Sequence, residues 1–140
     1  SNFQKRQELS SVFIYEMINA FGDARLFYNK FYISSFSPLG FTKNNKNLNY
    51  YDDKQLEIAI KPFVISSIKK QLLFGINTEV AFCLGEGKNF IYLSKLNNEM
   101  KFFDKIIPLP HPRFIMQYKL KSKGEYIDKY LRELNIINLQ

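Results

Sequence analysis

Residues 76–119 read INTEVAFCLGEGKNFIYLSKLNNEMKFFDKIIPLPHPRFIMQYK, and this stretch decides the fold. Glu79 to Leu84 is an apolar run of strand length, and Gly85-Glu86-Gly87-Lys88 ends it and opens a helix carrying Phe90, Leu93, Ser94 and Leu96. Phe103 to Leu109 is a second apolar run, closed by Pro110-His111-Pro112-Arg113. A strand, a helix and a further strand in that order imply a crossover between parallel strands, the unit of an α/β sheet covered by helices.

Working outward, Leu9, Val12, Phe13, Glu16, Met17 and Ala20 keep helical spacing and Gly22 supplies a C-terminal cap, which predicts a helix over about 5–22. Asp23 caps a short second helical segment through Lys30. Phe31 to Phe36 is aromatic and β-branched and ends at Ser37-Pro38-Leu39-Gly40, which predicts a buried strand and a breaker. Phe41 to Asn49 is a polar loop. Asp52 or Asp53 then caps a long helix with apolar positions at Leu56, Ile60, Phe63, Val64, Ile68 and Leu72, closed by Gly75 and either kinked at Pro62 or starting there. Tyr126, Ile127, Tyr130, Leu131 and Leu134 mark a last helix. The order α, β, α, β, α, β, α predicts a three-layer α/β/α sandwich with a short parallel sheet, so thin that an element is either missing from the chain or unrecognised in it.

The chain has 140 residues, the size of one domain, with 46% hydrophobic and 16% aromatic content, which excludes intrinsic disorder. Twenty Lys and Arg against 13 Asp and Glu leave a net charge of +7, suited to a polyanionic partner. Cys83 is the only cysteine and His111 the only histidine, so no disulfide framework and no Cys/His metal site can be built within one chain. No run has membrane-span length and no signal pattern opens the chain, which points to a cytoplasmic protein with no membrane partner.

In open α/β sheets ligands bind beyond the carboxyl ends of the strands. The loops meeting that description are Ser34–Gly40, Gly85–Asn89 and Pro110–Gln117. His111 lies between Pro110 and Pro112, with Pro108 close by, so its backbone has little φ freedom. A rigid imidazole suits charge stabilisation; an incidental histidine in a proline-rich surface turn explains the same residues equally well. Gly85-Glu86-Gly87-Lys88 could cradle a phosphate, yet Phe90 stands where a dinucleotide fingerprint has its third glycine, and a tight strand-to-helix turn is the simpler account. Cys83 inside an apolar strand reads as core. Ser34, Ser35 and Ser37 lack a nucleophile elbow. Lys43, Lys46, Lys88, Arg113, Lys119, Lys121 and Lys123 lie in or after these loops and fit a phosphate backbone, or simply a lysine-rich surface. Among the aromatic residues there, Phe36, Phe41, Tyr50, Tyr51, Phe114 and Tyr118 are candidates to stack on bases.

Ser37-Pro38-Leu39 after one strand, Gly85-x-Gly87 after the next and His111-Pro112 after the last resemble the uracil-DNA glycosylase superfamily. The pattern is most similar to the single-strand-selective monofunctional branch and its second, bacterial subfamily, with the resemblance running from about Lys5 to Leu134. It implies a DNA repair glycosylase that flips a uracil or a related deaminated base into a pocket, where water attacks C1′ and the base leaves as an anion, with no metal or cofactor. His111 occupies the place of the histidine that stabilises charge on the uracil O2, a role worth about 3–4 kcal/mol of barrier. Pro112, Arg113 and Phe114 through Tyr118 take the place of the loop that presses into DNA, with Arg113 where serine is common, and Gly85, Gly87 and Lys88 join them as DNA contacts. Where the first-described branch of the superfamily has an Asn that reads the base edge, followed by Cys-Pro-Leu, this chain has Ser35 and Ser37; a hydroxyl offers fewer bonds than an amide, so base selectivity is expected to differ.

The superfamily's first motif, a glycine-rich loop that positions the attacking water, has no counterpart in the 140 residues. The resemblance therefore implies one glycosylase-like domain over residues 1–140 corresponding to the C-terminal part of the fold, inactive without upstream residues, and prone to form a homo-oligomer through its uncovered edge. Two other functions compete: a non-catalytic nucleic-acid-binding α/β module, and a small phosphate- or nucleotide-binding domain built on Gly85–Lys88.

Overall fold

A computed structural model describes residues 2–34, 42–43, 46–47 and 54–135. It has a mixed α/β fold, mostly helical, with a short parallel sheet. The chain divides into two compact units, the first made of 1–32, 84–86 and 108–140, the second of 33–83 and 87–107.

The first unit is built on α1 (Asn2–Phe21), which packs against α2 (Ala24–Lys30), α5 (Pro112–Tyr118) and α6 (Lys123–Asn135). Its core comprises Phe13, Met17, Ile18, Phe27, Leu109, Ile115, Met116, Tyr130 and Leu134, each burial worth roughly 1.5–3 kcal/mol for the aliphatic side chains. Asp23 caps α2 as its position predicts: Oδ1 accepts the Leu26 N–H at 2.8 Å. Phe27 lies edge-on to Phe21 and tilted against Phe31, with ring centroids 5.6 and 5.1 Å apart.

That aromatic cluster explains a departure from the sequence reading. The strand expected over 31–36 is not formed by Phe31–Ser34, and residues 35–36 lie outside the described residues. Phe31 has extended backbone, yet its N–H caps α2 by donating to the Phe27 carbonyl at 2.9 Å, and Tyr32 and Ile33 are exposed. The aromatic run closes a helix end instead of entering a ladder, so the parallel sheet has two strands among the described residues. The polar loop expected after it contains a small antiparallel pairing of β1 (Thr42–Lys43) with β2 (Lys46–Asn47), with Thr42 opposite Asn47.

In the second unit α3 (Lys54–Leu72) presents Leu56, Ile60, Val64, Ile68 and Leu72 at a repeat of four, and these pack with Tyr92, Leu96 and Phe102. Pro62 sits inside α3, eliminating the later start; the helical bond its missing N–H forgoes is the one to Ile58, an exposed residue. Gly75 closes the helix with φ 80° and donates its N–H to the Leu72 carbonyl at 3.2 Å, a left-handed position that favours glycine. The expected caps Asp52 and Asp53 lie outside the described residues.

β3 (Val80–Leu84), α4 (Lys88–Met100) and β4 (Lys105–Leu109) follow as the crossover predicts. Asp104 and Lys105 donate to the Thr78 and Glu79 carbonyls at 3.0 and 2.9 Å and Gly85 to Leu109 at 2.8 Å, so pairing advances in the same direction on both strands, which makes them parallel. Asn97 joins α4 to the approach to β4 twice over: Nδ2 donates to the Phe103 carbonyl and Oδ1 accepts the Phe103 N–H, both at 2.9 Å. The carboxyl ends of both strands belong to the first unit, and the site is assembled there.

Candidate active site

The segment Pro110–Gln117, expected as a loop, is a turn followed by helix α5. Pro112 fills the first helical position, where the absent N–H costs nothing, and His111 is the N-cap. The same Pro-His-Pro pattern that reads as a breaker in sequence is thus a helix start.

His111 Nδ1 accepts the backbone N–H of Arg113 at 3.0 Å, and the His111 carbonyl accepts the Ile115 N–H at 3.1 Å. An accepting Nδ1 cannot carry a proton, so the neutral ring holds its proton on Nε2 and has a single N–H to donate. Burial, reinforced by the nearby Arg113 charge, pushes the imidazole down to about 4, from an ordinary value of 6.5. At neutral pH His111 is therefore an uncharged donor held in one tautomer.

Its support comes from several elements. The Leu109 carbonyl accepts the Gly85 N–H, and the Pro110 carbonyl accepts the hydroxyl proton of Tyr130, a fully buried α6 residue whose ring meets Phe13 edge-on at 5.0 Å. The sequence reading placed Tyr130 on an apolar helix face with Tyr126 and did not single it out; a phenol at the centre of an apolar stripe is the available signal, because a buried hydroxyl needs a partner.

Pro112, Ile115 and Met116 face the core, while Phe114 and Tyr118 are exposed one turn apart, ring centroids 5.9 Å. Pro112 is thus packed within the fold, and the outward aromatics of this segment are Phe114 and Tyr118. Arg113 is half-buried, and Lys119 and Lys121 are exposed just beyond. Lys123 is paired with Glu16 at 2.9 Å.

Gly85 is buried and its N–H is committed to Leu109, so it is a strand-end tie and its amide is not available to a phosphate. Gly87 and Lys88 are exposed at the start of α4, in the second unit, with exposed Glu86 before them adding negative charge to the turn. Ser35 and Ser37 lie outside the described residues; the neighbouring Ser34 hydroxyl bonds to Gln71. Cys83 is buried, its thiol pushed up to about 11 by burial, with Asn89 Nδ2 3.5 Å from the sulfur, as a core cysteine should be. Among the described residues no cluster of three or more His, Cys, Asp and Glu side chains is placed to hold a metal ion. No described helix is long and apolar enough to cross a membrane.

Comparison with known proteins bears on this arrangement. The sequence model of the uracil DNA glycosylase superfamily matches residues 3–135. The crystal structure of wild-type SMUG2 from Pedobacter heparinus superposes with a TM-score of 0.90 at 57% sequence identity, over 94% of this chain and 58% of that one. The chain thus spans a little under three-fifths of that protein's length. No curated protein matches. With the family pattern extending over nearly the whole chain, and the fold shared with SMUG2, the chain belongs to the uracil DNA glycosylase superfamily as a SMUG2-like member.

Proposed function

We propose that this protein carries the base-leaving half of a DNA glycosylase site, hydrolysing the N-glycosidic bond of uracil or a related deaminated base. The observation that carries the reading is His111: a neutral, single-tautomer N–H donor on a backbone with little freedom, in a superfamily named for uracil removal. As the C1′–N1 bond breaks, its electron pair passes to the base and negative charge grows on O2. An Nε2–H aimed at that oxygen stabilises the charge as it develops and requires no proton transfer, an effect of about 3–4 kcal/mol. Water adds to C1′, loses its proton to solvent, and the base anion is protonated after departure. His111 thus acts on the leaving group and leaves the water to other residues.

DNA is the partner this assigns. Arg113, Lys119 and Lys121 supply positive charge beside α5, and the Phe114–Tyr118 pair offers ring faces to unpaired bases. Lys88 and Gly87 at the start of α4 extend the same assignment, and Ser35 and Ser37 are assigned to the base edge from their sequence positions. Competition by free mononucleotide is expected to be weak, because Glu86 and the committed Gly85 amide spoil a phosphate cradle.

The test is release of free base from a uracil-containing single-stranded oligonucleotide by this chain and by a form extended upstream, each with and without His111→Ala. Release that falls by about 10²–10³ in the variant supports the assignment. Salt-sensitive DNA binding with no release from either form would replace it with a non-catalytic nucleic-acid-binding module.

A further inference from the structure

We propose that Tyr130 is a positioning residue for His111, its hydroxyl fixing the loop that aims the imidazole; this rests on the glycosylase reading above for its effect on rate but not for its effect on structure. Three consecutive carbonyls lead into and through the histidine, and each is held by a donor from a different place: Leu109 by the Gly85 N–H after β3, Pro110 by the Tyr130 hydroxyl on α6, and His111 by the Ile115 N–H inside α5. Pro110 and Pro112 fix φ on either side. The outer two restraints are backbone bonds, one from Gly85 at the end of β3 and one from Ile115 in the first turn of α5. The middle one is borne by a side chain 20 residues away, anchored by full burial and by the ring of Phe13 on α1. It therefore couples the docking of α6 on α1 to the orientation of the peptide directly before His111.

A hydroxyl placed only to satisfy its own burial would matter to stability alone. A positioning hydroxyl must also change what its neighbour does, and the chain offers a clean reporter because His111 is its sole histidine. Tyr130→Phe keeps the ring and its packing and deletes the bond. The measurements are long-range 1H–15N spectra of the imidazole at pH 7 and single-turnover release of uracil from single-stranded DNA. Wild type should show the well-separated Nδ1 and Nε2 shifts of one tautomer. In Tyr130→Phe the two shifts should move toward each other as the Arg113 bond loosens, and release should slow about tenfold with the half-saturating DNA concentration changed by less than about twofold. Glu16→Gln breaks the α1–α6 ion pair to Lys123 and should leave the imidazole spectrum as in wild type.

An unchanged imidazole spectrum in folded Tyr130→Phe overturns the proposal, as does an equal change in Glu16→Gln, which would trace the effect to helix docking in general. If the spectrum responds as described but no form of the protein releases base, the glycosylase reading falls and the positioning of His111 stands. If wild type releases base and Tyr130→Phe matches it in both readouts, the reverse holds.

Discussion

His111 shows how the surroundings of a single side chain fix its tautomer and its charge. Protonation would require Nδ1 to give up the Arg113 N–H and would place a cation in a partly buried site next to another, so the native state binds the proton more weakly than the unfolded chain. Between about pH 6.5 and about 4 the unfolded state holds more protons, and stability must rise with pH across that window; it is fully present above 6.5 and lost as pH falls toward 4. Urea titrations at pH 7, 5.5 and 4.5 should show this decline, and His111→Gln should flatten it. The imidazole shifts followed by NMR should titrate near 4, and a midpoint close to 6.5 would remove the neutral-donor argument. Little of this was legible in sequence: the prolines pointed to a rigid histidine, but the cap bond and burial depend on α5, which the Pro-His-Pro pattern concealed.

Elements with local punctuation were legible, and those defined by tertiary partners were not. Val80–Leu84 and Lys105–Leu109 stand out because glycine and proline bound short apolar runs, and α3 because its apolar side chains repeat every four residues. Phe31–Ser34 was misread because the same aromatic composition serves equally for a strand and for closing α2 over Phe21 and Phe27. Two substitutions test the element boundaries. Gly75→Ala meets open space but an unfavourable left-handed φ, so it should destabilise by about 1 kcal/mol in chemical denaturation without changing function. Asn97→Ala removes both bonds to Phe103 and leaves that half-buried backbone pair to water, at a cost of about 1–3 kcal/mol; Asn97→Asp keeps the acceptor and should recover part of it.

At the scale of the molecule, a chain with a net charge of +7 and outward-facing aromatics should bind single-stranded DNA with an affinity that falls steeply with salt. Phe114→Ala and Tyr118→Ala should each weaken that binding by about 1–3 kcal/mol while leaving the salt slope unchanged, whereas Lys119→Ala and Lys121→Ala should lower the slope. Charge-only binding would show no loss on removing the rings. The α/β class and the parallel strand pair were readable from residues 76–119, and the superfamily from that stretch together with Ser37-Pro38-Leu39, whereas the Tyr130 tie was not, because it joins residues whose proximity exists only after α6 docks on α1. The most direct test of the central claim is single-turnover uracil release from single-stranded DNA by the upstream-extended protein, compared with its His111→Ala variant at matched DNA occupancy. A fall of about 10²–10³ in rate with binding retained is the result expected of a neutral donor on the leaving base; equal rates in the two proteins would show that His111 stabilises nothing in the transition state.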